Sequence, residues 1–121
     1  MSNKSSSNYL LLFRHSQEGP DPTPDEMQQI FGKWMTWMKG MKAKGQYVGG
    51  DRLEEGGKVL RYAKGKTVTE GPFAEAKEIV GGYIIVAAPS LAAAATIAKG
   101  CPGLENGGTV EVRPIEPLPP I

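Results

Sequence analysis

Thr69-Glu70-Gly71-Pro72-Phe73-Ala74-Glu75-Ala76-Lys77-Glu78-Ile79-Val80-Gly81-Gly82-Tyr83 puts a Gly-Pro turn, an aromatic anchor and several charges directly before an apolar strand with paired glycines. That order delivers a shaped loop to the end of a sheet, where ligand sites often sit. The strand after the loop, residues 79–87, is apolar on successive positions and therefore expects cover on both faces. A second such strand occupies residues 9–13, Tyr9-Leu10-Leu11-Leu12-Phe13.

Between the two strands lies a helix with unusually explicit punctuation. Thr23 can cap, Pro24 suits the first helical position, Asp25 faces the helix dipole and Glu26 completes a capping box. Met27, Ile30, Phe31, Trp34, Met35, Trp37, Met38 and Met41 then recur at the three-and-four rhythm of one helical face. The predicted helix runs over 24–44, with Gly45 in the left-handed position beyond its end. Its apolar stripe is expected to be core, since a helix lying on a sheet must bury one face.

Further along, residues 47–53 read as a strand whose Gly49-Gly50 marks a bulge or a close backbone approach. Residues 58–63 and 66–69 form a hairpin around Lys64-Gly65. Ser90 caps a short alanine-rich helix over 91–99, stopped by Gly100 and Pro102. Residues 109–113, Thr-Val-Glu-Val-Arg, alternate as a strand with one wet face. The order β-α-β-β-α-β, with the hairpin inserted, predicts a ferredoxin-like α+β sandwich.

Composition narrows the function classes. The 121 residues suit one domain, and 14 basic against 13 acidic side chains leave a net charge of +1, with no electrostatic footprint for nucleic acid. No stretch approaches the roughly 20 apolar residues needed to cross a bilayer. A single cysteine, Cys101, cannot form an internal disulfide, which points to a reducing, cytoplasmic setting. Residues 1–7 read as a frayed tail without a signal-peptide core, 8–116 as the domain, and 117–121 as a Pro-rich extension. The Pro117-to-Pro120 spacing formally matches a P-x-x-P ligand, but short Pro motifs recur by chance and a strand exit lying against the domain is the preferred reading.

The residues that carry chemistry are few. His15, the only histidine, is the default general base and sits beside Arg14 just after the first strand, where a solvated loop histidine is the alternative. Glu70, before Gly71-Pro72, either faces a ligand or caps the following turn. Gly71 supplies backbone freedom and Phe73 a plug for the loop. Asp51 is a second candidate carboxylate, and Arg113 either clamps an anion or pairs with Glu111. One histidine, one cysteine and scattered carboxylates make no recognisable metal set. The glycine pairs match neither dinucleotide fingerprint nor P-loop, so no cofactor is expected.

Val68-Thr69-Glu70-Gly71-Pro72-Phe73-Ala74-Glu75-Ala76-Lys77-Glu78, Gly81-Gly82-Tyr83 and Gly107-Gly108-Thr109-Val110-Glu111-Val112-Arg113-Pro114, in that order, resemble the DGPF-type branch of the YCII-related family. Tyr9-Leu10-Leu11-Leu12-Phe13 and Val48-Gly49-Gly50-Asp51 are similar to it as well. The resemblance implies a ferredoxin-like domain that dimerises through its sheets as an α+β barrel, in bacterial cytoplasm, with a largely undefined activity. It also implies a link to extracytoplasmic-function sigma factors, beside whose genes many family members lie. Two departures matter. Glu70 stands where the family's signature acid is Asp. The His–Asp pair proposed as catalytic in the YCII branch has no counterpart, because the first long helix lacks histidine and the turn after the second reads Gly100-Cys101-Pro102.

The expectation is therefore a sheet-mediated homodimer. It binds a small polar or anionic molecule with Arg14, Gly71, Pro72, Phe73 and Arg113, and His15, Asp51 and Glu70 are its acid–base candidates. From another class, a non-catalytic regulatory or accessory protein in a sigma-factor system fits the same resemblance.

Overall fold

A computed structural model describes residues 6–16, 19–70 and 78–121. In chain order these form β1 (Ser7–Ser16), α1 (Pro24–Ala43), β2 (Tyr47–Arg52), β3 (Val59–Ala63), β4 (Lys66–Glu70), β5 (Glu78–Ala88), α2 (Leu91–Ala98), a 3-10 turn (Pro102–Asn106) and β6 (Thr109–Pro114). Four strands make an antiparallel sheet in the order β2-β5-β1-β6, and β3 pairs with β4 as a separate hairpin. Two long antiparallel strands at the centre, flanked by the strands that follow each helix, are compatible with the ferredoxin-like plan.

Alternation along β1 and β5 divides the sheet into two faces. Tyr9 and Leu11 on β1, with Ile84, Val86 and Ala88 on β5, are buried against Met41 of α1 and Ala94 and Ala98 of α2. The alanines thin α2 enough to lie close to the strands, as its composition predicts. Phe13, Trp34 and Trp37 meet edge to face, with ring centroids 5.0–6.0 Å apart, and this cluster fastens the middle of α1 to β1.

The helix signals behave as the sequence predicts. Thr23 Oγ1 accepts from the Glu26 amide at 3.1 Å while Glu26 Oε1 accepts from the Thr23 amide at 2.8 Å. Lys44 closes the helix and Gly45 follows at φ 73°. Ser90 Oγ accepts from the Ala93 amide at 3.1 Å. In the hairpin turn, both Lys64 (φ 51°) and Gly65 (φ 76°) take the positive φ that a primed two-residue turn demands.

Two expectations are corrected. The apolar stripe of α1 is only partly core, because Met41 alone is buried and Met27 and Phe31 remain 53% and 59% exposed. The aromatic cluster holds the helix from Trp34 onward, and the first two turns lie beyond that cluster. Arg14 and His15 are not in a loop but in β1, paired opposite Val80 and Ile79 after a register shift at Phe13/Arg14. The ladder with β5 carries the strand past its apolar run, and Gly81 takes up the extra residue.

Gly50 shows why one member of a glycine pair is required. A Cβ there would stand 2.5 Å from the Tyr83 carbonyl oxygen, so only glycine lets β2 pair this closely with β5. The neighbouring register shift between Tyr47 and Gly49 is the bulge that the pair signals.

Candidate functional site

The face of the sheet turned away from the helices carries the polar chemistry. Asp51 on β2, Tyr83 on β5, Leu12 on β1 and Glu111 on β6 lie opposite one another in a single row. The adjacent row is Gly49, Ile85, Leu10 and Arg113. The middle of this face is thus apolar, made of Leu10, Leu12 and Ile85 with the Tyr83 ring, all half-buried. Its two margins are polar.

On the β6 margin, one carboxylate gathers two guanidinium groups. Arg14 Nη1 donates to Glu111 Oε1 at 2.6 Å, and Arg113 Nη1 donates to Glu111 Oε2 at 3.2 Å. The hydrogen bond from Arg14, then that from Arg113, holds the Glu111 carboxyl below its ordinary pKa. Two cations against one anion leave this cluster with a net positive charge and, among the described residues, several uncommitted N–H donors.

On the β2 margin, the Tyr83 hydroxyl donates to Asp51 Oδ2 at 2.9 Å. That hydrogen bond, and then the charge of Asp51, raises the Tyr83 pKa. With strands spaced about 4.8 Å apart, the two polar margins are separated by about 14 Å.

The remaining candidates stand apart. The His15 ring packs over Gly81, where an added Cβ would come within 2.9 Å of its Cδ2. Glu70 ends β4 and accepts from Arg61 of β3, with Nε at 3.0 Å. Among the described residues no hydrogen bond joins His15, Asp51 and Glu70 to one another. Gly71, Pro72 and Phe73, named with them from the sequence, lie outside the described residues.

Two further groups went unnamed as site residues in the sequence. Glu111 is the common acceptor for both arginines, and the alternation of residues 109–113 already puts it on the same face as Arg113. Tyr83 holds Asp51, and only the β2–β5 register reveals that.

Two shallow clefts open on the helical side. The larger, about 960 Å³, lies between α1 and the 3-10 turn, where Lys33 and Glu105 pair at 3.2 Å. Neither cleft is lined by His15, Arg14, Asp51, Glu70 or Arg113. Cys101 lies beneath the larger one, buried, and that burial pushes its thiol pKa up, as suits an inert protonated side chain. Among the described residues there is no cluster of three or more potential metal ligands, and no helix is long and apolar enough to cross a membrane.

The Glu111 cluster has a testable pH signature. Its lowered folded-state pKa contributes stability above the unfolded carboxylate range, and that contribution is lost as pH falls through the folded Glu111 pKa. Arg14→Gln should move the Glu111 carboxyl back up toward its ordinary value and shrink the acid-side loss of stability. Carboxyl NMR titration measures the first effect and thermal melts between about pH 3 and pH 6 the second. A Glu111 titration unchanged by the substitution would show that Arg14 does not hold the carboxylate in solution.

A family model described as the YCII-related domain matches residues 8–119, nearly the whole chain. No curated protein matches it.

Proposed function

The chain belongs to the YCII-related family, and from that premise we propose a homodimer, closed sheet to sheet, that binds a small anionic molecule beside the Arg14–Glu111–Arg113 cluster. Within the family, the DGPF-type branch is the placement favoured by Glu70-Gly71-Pro72-Phe73 and by the Gly-Gly-Tyr and Gly-Gly-Thr motifs that follow in order.

The observation that carries the proposal is the pairing of an apolar centre with a cationic margin on one face that no other described element covers. A second sheet, packed about 10 Å away, covers Leu10, Leu12 and Ile85 and leaves the arginines along the seam. A guanidinium there keeps its full charge and presents a planar fork suited to carboxylate or phosphate. His15, Asp51 and Glu70 each stay with separate neighbours, so the proposed role is recognition rather than acid–base turnover.

Titration calorimetry with inorganic phosphate and a short dicarboxylate tests this. The parent should bind at least one of them, and an Arg14→Gln/Arg113→Gln variant should lose about tenfold or more in affinity while keeping its mass and its circular dichroism spectrum. Binding unaffected by the double substitution would remove the cluster from the site.

A second reading, a non-catalytic accessory protein in an extracytoplasmic-function sigma-factor system, is favoured by the fact that the helical-side clefts carry none of the candidate site residues. Failure of the parent to bind any small anion would favour it.

A further inference from the structure

Among the described residues, the apolar face of the β3–β4 hairpin has no partner. Leu60 and Tyr62, two residues apart on the same side, are 63% and 73% exposed. Apart from each other, neither β3 nor β4 packs broadly on another described element. An isolated two-stranded hairpin is marginal in water, so this one needs a surface to lie on. It is also basic: residues 58–66 hold Lys58, Arg61, Lys64 and Lys66, and since Arg61 is paired with Glu70 at the end of β4, the three lysines are its excess charge.

The start of α1 has the complementary character. Met27 and Phe31, one turn apart, are exposed on one side of the helix. Residues 19–32 around them hold Asp21, Asp25 and Glu26 and no cation, and all three acids are exposed. The same chain therefore carries two apolar patches that no other described residue covers, with opposite charge around them.

We propose that the hairpin is a dimerisation arm, laying Leu60 and Tyr62 on Met27 and Phe31 of the partner subunit with its lysines toward the partner's Asp21, Asp25 and Glu26. Two-fold symmetry makes the contact twice, each arm on the other copy's helix. Charge complementarity selects a second copy over an unrelated surface, and the exchange covers both patches at once. This inference rests on the sheet-to-sheet dimer proposed above, and it extends the interface beyond the sheets.

Sedimentation of the full chain, with circular dichroism to check folding, tests it. Leu60→Ser/Tyr62→Ser and Met27→Ser/Phe31→Ser should each weaken dimerisation at least about tenfold. Combined, the four changes should weaken it by less than the product of the two, because they remove one shared contact. Lys66→Glu and Asp25→Lys should each weaken the dimer, and the two together should restore part of the loss.

Several results would overturn the arm. If these variants dimerise like the parent while Ile85→Glu does not, the sheet interface stands and the arm is wrong. If the parent is a monomer, both proposals fail. A disulfide formed within a single chain of a Leu60→Cys/Phe31→Cys variant at high dilution would place the hairpin on its own helix instead. Retardation of an oligonucleotide that is lost with Lys64→Glu/Lys66→Glu, in a dimer of unchanged affinity, would assign the basic patch to nucleic acid.

Discussion

Ile85→Glu should convert the proposed dimer into a folded monomer. Ile85 stands in the middle of the uncovered face, between Gly49 on β2 and Leu10 on β1. Its neighbours along β5, Ile84 and Val86, point the other way into the helix-side core and are not disturbed by the change. Closing two sheets over a glutamate would bury an unpaired charge twice, once from each copy. The expected loss is on the order of 3 kcal/mol or more, which is at least about 100-fold in the dissociation constant. Light scattering reads the mass and circular dichroism the fold. A variant that remains dimeric with the parent's affinity would place the interface elsewhere.

Leu11→Ala should be the most damaging single truncation inside the domain. Leu11 is fully buried, flanked by Ile84 on β5 and Val112 on β6, and it belongs to the cluster that joins the sheet to both helices. Removing such a side chain leaves a cavity and costs about 2–5 kcal/mol. Leu10, one residue away, faces the uncovered side, and Leu10→Ala in the Ile85→Glu background should cost less than about 1 kcal/mol. Urea denaturation of the two variants separates the faces. Equal losses would mean that the division of β1 into a core face and an interface face is wrong.

What the sequence disclosed depended on how local the cause was. The capping box at Thr23 and Glu26, the Ser90 cap, the Lys64-Gly65 turn and the strand-helix order rest on neighbours within a few residues, and the structure has them all. The end of β1 was less legible. Arg14, His15 and Ser16 are polar, and pairing with β5, joined at Arg14 by β6, keeps them in the strand. The stripe on α1 looked like continuous core because periodicity shows which residues share a face, not how far the opposing surface extends. Met27 and Phe31 lie on that face beyond the aromatic cluster.

The candidate site divides in the same way. The pairing of Arg113 with Glu111 was open to inference from alternation alone, two residues apart on one strand. Its extension to Arg14 requires β1 and β6 to be neighbours, a contact across 97 residues of chain. Asp51 and Tyr83 likewise meet only through the β2–β5 register. Residue type alone put His15, Asp51 and Glu70 on one list of acid–base candidates, whereas the topology sends them to three neighbourhoods: a glycine on β5, a tyrosine, and the arginine of the hairpin.

The claim on which the rest depends is that the uncovered face of the sheet is an interface between two copies. In a lone chain Leu10, Leu12 and Ile85 are only half-buried, and each forgoes part of the roughly 1.5–3 kcal/mol that full burial of such a side chain contributes. Sedimentation equilibrium of the unmodified protein at micromolar concentration tests this most directly. A single species of twice the 13.0 kDa chain mass is the predicted result, and a species at the chain mass itself across that range would contradict it.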